Sequence, residues 1–163
     1  MKPLIVVGGV AGCGKTTLAT ALAQALGVAF RDGDDLHPTA NKAKMAAGHP
    51  LTDEDRAPWL AACAAQLAAW GDAGGVISAS ALKRAYRDTL YAAHPAVRYV
   101  LIRITPELAT ARAAARPGHF WPASLTLSQF AILEEPGADE PALQVEAIWP
   151  TDQQVAAVQG FLR

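Results

Sequence analysis

The stretch PLIVVGGVAGCGKTT, residues 3–17, places a short apolar run directly before a glycine-rich loop and the start of a helical pattern. Residues 9–16, GVAGCGKT, match in full the pattern GxxxxGK followed by Ser or Thr, in the strand-to-helix context that this pattern requires. Glycines at such a turn let backbone N–H groups and the following helix N-terminus point closely at phosphate oxygens. The sequence therefore predicts a phosphate-binding loop, here called the P-loop (residues 9–16).

The P-loop and the residue after it are assigned to a nucleotide. Lys15 would reach the β- and γ-phosphates, and the Thr16 hydroxyl would bind Mg²⁺. Cys13 is expected to contribute only a small side chain that fits the loop. The predicted nucleotide-binding residues here are Gly9, Val10, Ala11, Gly12, Cys13, Gly14, Lys15, Thr16 and Thr17.

Beyond the P-loop, short apolar runs alternate with longer alanine-rich stretches of helical spacing. Further strands are predicted at residues 28–32, 74–80, 97–104 and 142–148, with helices between them. Alternating strands and helices predict an α/β fold of the P-loop NTPase type, with three layers: a central parallel five-stranded sheet and helices on both faces. With 163 residues and no evident linker, we expect one domain, 1–163, with a small lid at about residues 112–124.

Composition limits the partners and the compartment. A formal charge of −1 gives no basic footprint for nucleic acid, which favours a small diffusible partner. The apolar run near the start is too short to span a bilayer, so no membrane association is expected. Two cysteines without a CxxC pair suggest neither a disulfide framework nor a cysteine metal site. We expect a reducing, cytoplasmic location.

An acidic cluster, DGDD at residues 32–35, ends the second predicted strand. Parallel strands present their carboxyl ends at one edge of a sheet, which places this cluster beside the P-loop. Asp32 is the candidate for holding Mg²⁺ or its water, and Asp34 is the candidate for accepting the proton of an acceptor hydroxyl. Each aspartate could instead only form the turn, and Asp35 is given no chemical role.

Two sets of basic residues suit phosphoryl transfer to a small anion. The absence of a guanine-reading NKxD motif favours ATP, and the class predicted is a small-molecule kinase. Arg112 and Arg116 are four residues apart on one face of a predicted helix and would close over the phosphates. Alternatively, they stand there only because basic residues are favoured near helix C-termini. The predicted acceptor-binding residues, besides Asp34, are Arg56, Lys83, Arg84, Arg87 and His119; Lys83 could equally be a surface residue.

Five segments, in this order and spacing, resemble the gluconokinase family: GVAGCGKT, DGDDLHPTANKAKMAAGHPLTDEDRAPWL, SALKRAYRDTL, RPGHF and QFAILEEP. The resemblance runs from residue 5 to about residue 140. It implies ATP-dependent phosphorylation of D-gluconate on its terminal 6-hydroxyl, giving 6-phosphogluconate and ADP, on a shikimate-kinase-like fold that commonly forms a homodimer. The family's acceptor aspartate falls on Asp34, and its basic lid falls on Arg112 and Arg116.

Three departures from the family and two rival functions complete the expectations. Ala79 stands where the family often has cysteine, Tyr91 replaces a frequent arginine, and Glu146 stands where an aspartate is common. One rival is a kinase for shikimate or another small hydroxy acid. SASALKR, at residues 78–84, disfavours shikimate, because shikimate kinases usually carry a glycine triplet there. The other rival is a nucleotide-binding regulatory module without transfer chemistry.

Overall fold

Strands and helices alternate along the chain in the computed structural model, which describes residues 1–116 and 122–163. The strands are β1 (Leu4–Gly8), β2 (Ala29–Asp32), β3 (Gly75–Ser78), β4 (Val97–Arg103) and β5 (Ala142–Glu146). The helices are α1 (Lys15–Leu26), α2 (Thr39–Ala46), α3 (Asp53–Trp70), α4 (Arg84–Tyr91), α5 (Pro106–Ala114), α6 (Ala123–Ile132) and α7 (Thr151–Leu162). Within the described residues, no helix combines the length and the apolar character needed to cross a membrane.

The sheet has the strand order β2-β3-β1-β4-β5, and every neighbouring pair is parallel. Alternate residues of β1 face opposite layers, as the period of two in a strand requires. Ile5 and Val7 pack with apolar residues of α1, α5 and α7, while Leu4 and Val6 pack with those of α3 and α4. The prediction of a five-stranded parallel sheet with helices on both faces is confirmed.

Helices α1 and α3 have the ends that their sequences predict. Gly14 and Gly27, both in the left-handed region, flank α1, so the helix begins directly after the P-loop glycines. Thr52 and Asp55 form a capping box at the start of α3: each side chain accepts a hydrogen bond from the other residue's backbone N–H. These ends fix where the N-termini of both helices lie relative to the sheet.

Gly33 lets the loop after β2 pass close to the end of β3. A Cβ added at Gly33 would lie 2.3 Å from the carbonyl oxygen of Ser78, which is closer than any side chain tolerates. The Trp59 indole of α3 donates to the Gly33 carbonyl at 2.8 Å, so the loop is held from a second side. The acidic segment is therefore fixed against the carboxyl edge of the sheet.

A buried ion pair connects α4 to the segment before β5. Arg87 donates to both carboxylate oxygens of Glu140, at 2.7 and 3.0 Å, and both side chains are fully buried. Tyr91 donates to Glu140 at 2.9 Å, and Gly137 donates its backbone N–H at 2.9 Å. Burial opposes ionisation of Glu140, but these partners outweigh it and lower its pKa to about 2. The pair holds together segments more than fifty residues apart.

We expect Arg87→Met to lower the free energy of unfolding by about 3–5 kcal/mol, because it leaves the buried Glu140 carboxylate without the arginine that engages both of its oxygens. Arg84→Met is the control on the same helix. The Arg84 side chain is 42% exposed and lies at 3.5 Å from Glu140, without a hydrogen bond to it, so its loss should cost no more than about 1 kcal/mol. Urea unfolding measures both values, and equal losses would contradict the assignment.

Candidate active site

A cavity of about 620 Å³ opens at the carboxyl edge of the sheet. It is bounded by the P-loop, the acidic loop after β2, the region from α2 to α3, and helices α5 and α6. The predicted site residues that line it are Ala11, Gly12, Gly14, Lys15, Thr16, Thr17, Asp32, Asp34, Arg56, Arg112 and Arg116. The fold therefore gathers nucleotide-side and acceptor-side residues from four separate parts of the sequence into one space.

The P-loop wraps around the Lys15 ammonium group. Lys15 Nζ donates to the carbonyl oxygens of Gly9 and Val10, at 3.1 Å each. Gly12 is required where it stands, since its φ is +83° and an added Cβ would lie 2.6 Å from the Ala109 carbonyl oxygen of α5. Cys13 is buried beneath the loop, and burial raises the pKa of its thiol. The Cys13 side chain thus packs in the core, while Gly12, Gly14 and Lys15 line the cavity.

The two aspartates given chemical roles occupy different environments. Asp32 Oδ1 accepts from the backbone N–H of Asp34 at 3.0 Å and from the Ser78 hydroxyl at 3.4 Å. The Asp34 carboxylate, by contrast, has no hydrogen bond or ion pair with any described residue. Asp32 is held at the sheet edge, and Asp34 presents an unengaged carboxylate to the cavity.

The donor set beside the P-loop fits Mg²⁺. Thr16 and Asp32 supply hydroxyl and carboxylate oxygens to the same cavity, and oxygen is the ligand that Mg²⁺ prefers. Among the described residues no cluster of three histidine, cysteine or acidic side chains could hold a metal by itself.

Arg56 is positioned on the acceptor side by its own contacts. Its Nη1 donates to the Leu51 carbonyl at 2.7 Å and to the Tyr86 hydroxyl at 3.2 Å. Within the part of the chain that the structure describes, its Nε and Nη2 make no hydrogen bond. Lys42 of α2 also lines the cavity and adds a second positive charge there, which the sequence pattern did not single out.

His37 closes the acceptor end as a neutral ring. It stacks on Trp59 with ring centroids 4.5 Å apart and planes 8° from parallel, and its Nδ1 accepts from Asn41 at 3.2 Å. Burial, and then the positive charges of Arg56 and Lys42, lower the pKa of His37 to about 4. The ring is therefore uncharged at neutral pH and serves as a structural wall.

The structure does not bring three of the predicted acceptor residues to the cavity. Lys83 pairs with Asp53 at 3.1 Å, and Arg84 pairs with Asp88 and Asp139. Arg87 is buried against Glu140, as described above. Carboxylates of α3, of α4 and of the segment before β5 engage these cations, a consequence of folding that the basic pattern KRAYR did not reveal. His119, the remaining predicted acceptor residue, lies outside the described residues.

Arg112 and Arg116, the arginines predicted for the lid, line the cavity together with Gln129. Helix α5 ends at Ala114, so Arg112 lies in its last turn and Arg116 lies two residues beyond it rather than on the predicted shared helix face. Gln129 belongs to α6, and its Oε1 accepts from the backbone N–H of Ala11 at 2.6 Å. Gln129 carries no charge and belongs to no phosphate motif, so only its place in the segment QFAILEEP could have drawn attention to it.

A P-loop and an acceptor cleft on one edge of a parallel sheet define the class of small-molecule P-loop kinases. Residues 4–133 match a protein family described as an AAA domain. A gluconokinase of Gluconobacter oxydans is 52% identical over 149 residues, which cover 89% of this chain and 83% of that protein. The crystal structure of a gluconokinase from Sinorhizobium meliloti superposes with a TM-score of 0.90 at 40% identity, covering 99% of this chain and 91% of that one. The chain belongs to the gluconokinase family.

The comparison with a shikimate kinase is weaker. The enzyme from Aquifex aeolicus superposes with a TM-score of 0.61 at 14% identity, covering 97% of this chain and 94% of that one. A likeness at this level reflects the shared fold alone.

The neutral His37 gives the fold a defined pH dependence. Its pKa is about 4 in the folded chain and about 6.5 when unfolded, so the unfolded state binds the extra proton between these values. Stability should therefore fall as pH drops from about 6.5 to about 4. We expect His37→Gln to show a smaller decrease over this window in thermal unfolding, whereas His49→Gln, at an exposed histidine, should retain the wild-type decrease.

The carboxylates whose pKa values are lowered affect stability mainly below the pH range in which His37 acts. Asp55 and Glu140 have pKa values of about 2, so the stability they contribute is lost mainly below pH 4.5. Parallel pH profiles for wild type and His37→Gln would assign the decrease to other groups.

Proposed function

We propose that this chain transfers the γ-phosphoryl group of ATP to the 6-hydroxyl of D-gluconate, giving 6-phosphogluconate and ADP. One observation carries the proposal: a single cavity joins the P-loop to the unengaged Asp34 carboxylate and to Arg56. Membership in the gluconokinase family supports gluconate as the acceptor. A regulatory module would have no need of a free carboxylate facing the phosphate site.

The nucleotide would be bound by the P-loop backbone, the N-terminus of α1 and Lys15. Backbone N–H groups of Gly12 to Thr17 suit the phosphates, since they lie at a helix N-terminus that has no competing acidic residue in its first turn. Thr16 and Asp32 would hold Mg²⁺ directly or through water. When bound, Mg²⁺ would neutralise phosphate charge.

The transfer step assigns one role to each acceptor-side group. The 6-hydroxyl oxygen attacks the γ-phosphorus, and a new O–P bond forms as the bond from that phosphorus to the β–γ bridging oxygen breaks. Asp34 accepts the hydroxyl proton, and the electron pair of the broken bond leaves with ADP. Lys15, Arg112 and Arg116 stabilise the charge on the transferring group.

The carboxylate end of the acceptor would be bound by Arg56. Its Nε and Nη2 remain available for two parallel hydrogen bonds to a carboxylate, and its Nη1 is fixed by Leu51 and Tyr86. Lys42 adds positive charge to the same wall. Lys83, Arg84 and Arg87 are left out of the proposed acceptor set, because carboxylates of the protein already pair with them.

An ADP-release assay over a panel of acceptors tests this proposal. D-gluconate, D-glucitol and shikimate form the core of the panel, since glucitol has the gluconate carbon chain without its carboxylate. We expect turnover with gluconate and far less with the other two.

Arg56→Gln should raise KM for gluconate by roughly tenfold or more, the scale of a lost charged hydrogen bond, with little change for glucitol. Phosphorylation of shikimate but not gluconate would overturn the substrate assignment.

Asp34→Asn should lower kcat by roughly 10²-fold or more while leaving ATP binding largely intact, because only the proton acceptor is lost. Asp35→Asn is the matched control, since it removes a neighbouring carboxylate of the same loop that has no assigned role. Steady-state kinetics and calorimetric titration with ATP give both quantities. Near-normal turnover of Asp34→Asn would remove this residue from catalysis.

Assembly, compartment and lid closure remain predictions. A homodimer and a cytoplasmic location are proposed from the family resemblance and from two cysteines that the structure leaves free and buried. The proposed lid, at about residues 112–124, includes residues outside the described range, and the arginines that would act from it lie at its start. One kinase domain over residues 1–163 remains the proposed organisation.

A further inference from the structure

One peptide unit of the P-loop is bound from both of its sides. The N–H of Ala11 donates to Gln129 Oε1 at 2.6 Å. The carbonyl oxygen of Val10, which belongs to the same peptide unit, accepts from Lys15 Nζ at 3.1 Å. Because a peptide unit is planar, the direction of its N–H also fixes the direction of its carbonyl. Gln129 and Lys15 are thereby connected through one rigid group.

Lys15 depends on this peptide for its position. Its ammonium group contacts only two acceptors among the described residues, the carbonyl oxygens of Gly9 and Val10. A lysine side chain is flexible and loses considerable rotamer entropy when it is held in one geometry. The orientation of the Val10 carbonyl therefore influences how far Lys15 is preorganised toward a phosphate.

Gln129 is suited to hold the peptide because its helix is anchored in the core. The next residues of α6 and its end, Phe130, Ile132 and Leu133, pack against the core beneath the sheet. The Gln129 side chain itself is half-buried at the cavity wall. The hydrogen bond thus connects a packed helix to the P-loop, whose Val10 carbonyl also accepts from the Cys13 backbone N–H at 3.3 Å.

We propose that Gln129 is a positioning residue for Lys15, acting through the Val10–Ala11 peptide. The proposal rests on the proposed phosphoryl transfer for its effect on turnover. A purely structural role, in which Gln129 only attaches α6 to the loop, would lower stability and would have no particular dependence on Lys15. The two roles differ in what happens when Lys15 is already absent.

A double-mutant cycle with Gln129→Met and Lys15→Ala separates these roles. Methionine keeps the length and the packing of glutamine but removes the acceptor oxygen. In the wild-type background we expect kcat/KM for ATP to fall by roughly tenfold or more, since small displacements of a preorganised group are costly to rate. In the Lys15→Ala background the same change should have an effect of less than about twofold. Equal factors in both backgrounds, or no effect in either, would overturn the proposal.

Nucleotide binding gives a readout that does not require an acceptor. Lys15 is directed at the β- and γ-phosphates, so Gln129→Met should weaken ATP binding more than ADP binding in calorimetric titrations. Equal weakening of both nucleotides would contradict a route through Lys15. If the wild-type chain bound ATP but did not phosphorylate gluconate, the proposed acceptor would fail and this measurement would still decide the role of Gln129.

Two further variants guard against a trivial loss of folding. Leu127→Ala changes a residue of α6 that is 54% exposed and should retain wild-type kinetics. Gln129→Asn keeps the amide group but shortens the side chain by one methylene, which withdraws the acceptor, so its ATP and ADP affinities should change in the same direction as those of Gln129→Met. Wild-type affinities for Gln129→Asn together with a lowered melting temperature would favour the structural role and overturn the proposal.

Discussion

The close approach of backbone to backbone at two glycines is the constraint on which the site depends. At Gly12 the P-loop lies against the Ala109 carbonyl of α5, and at Gly33 the acidic loop lies against the Ser78 carbonyl of β3. In both places a Cβ would be less than 3 Å from a backbone oxygen that cannot move aside. The first contact sets the distance between the P-loop and α5, the helix that carries Arg112. The second sets the position of Asp34 relative to the sheet edge.

The same packing determines which arginines are paired with carboxylates and which are not. Arginines of α4 are engaged by carboxylates, and Arg87 is fully buried with Glu140. Arg112 and Arg116 have no ion pair within the described residues and line the cavity. A buried charge requires a partner, whereas a charge beside a ligand site must remain without one to act on the ligand. Pairing therefore distinguishes the arginines of the fold from those proposed for function.

Much of the fold could be predicted because its signals are local. The P-loop pattern, the apolar strands and the capping residue Thr52 each depend on neighbours within a few positions, and the structure has the corresponding elements. The placement of the acidic loop beside the P-loop also followed, since it requires only that the strands be parallel. The Arg87–Glu140 pair was not predictable in this way, because its partners are 53 residues apart and the basic pattern at Arg87 indicated an acceptor site rather than a buried partner.

Tyr91 shows how such a distant pair changes the meaning of a departure from the family. From the sequence, a tyrosine in place of a frequent arginine could affect acceptor binding or subunit contact. In the structure the Tyr91 hydroxyl donates to Glu140, and burial raises the pKa of that hydroxyl, so it remains a donor. An arginine here would add a third cation to a carboxylate that Arg87 already engages at both oxygens and that Arg84 approaches to 3.5 Å. The tyrosine instead supplies a neutral donor to the pair.

The part of the cavity proposed for the acceptor combines the positive charges of Arg56 and Lys42 with a neutral histidine, His37. The two features are physically related. Burial, and then the positive charges of Arg56 and Lys42, lower the pKa of His37, whose ring stacks on Trp59. Because His37 stays neutral, Asn41 can donate to its Nδ1 and to the Asp55 carbonyl at the same time. This bonding connects α2 to α3, the helices that carry Lys42 and Arg56. The positive charges of Arg56 and Lys42, which would attract an anionic acceptor, thus also help to keep the His37 ring neutral. That neutral ring accepts the hydrogen bond from Asn41, which connects the two helices that carry these charges.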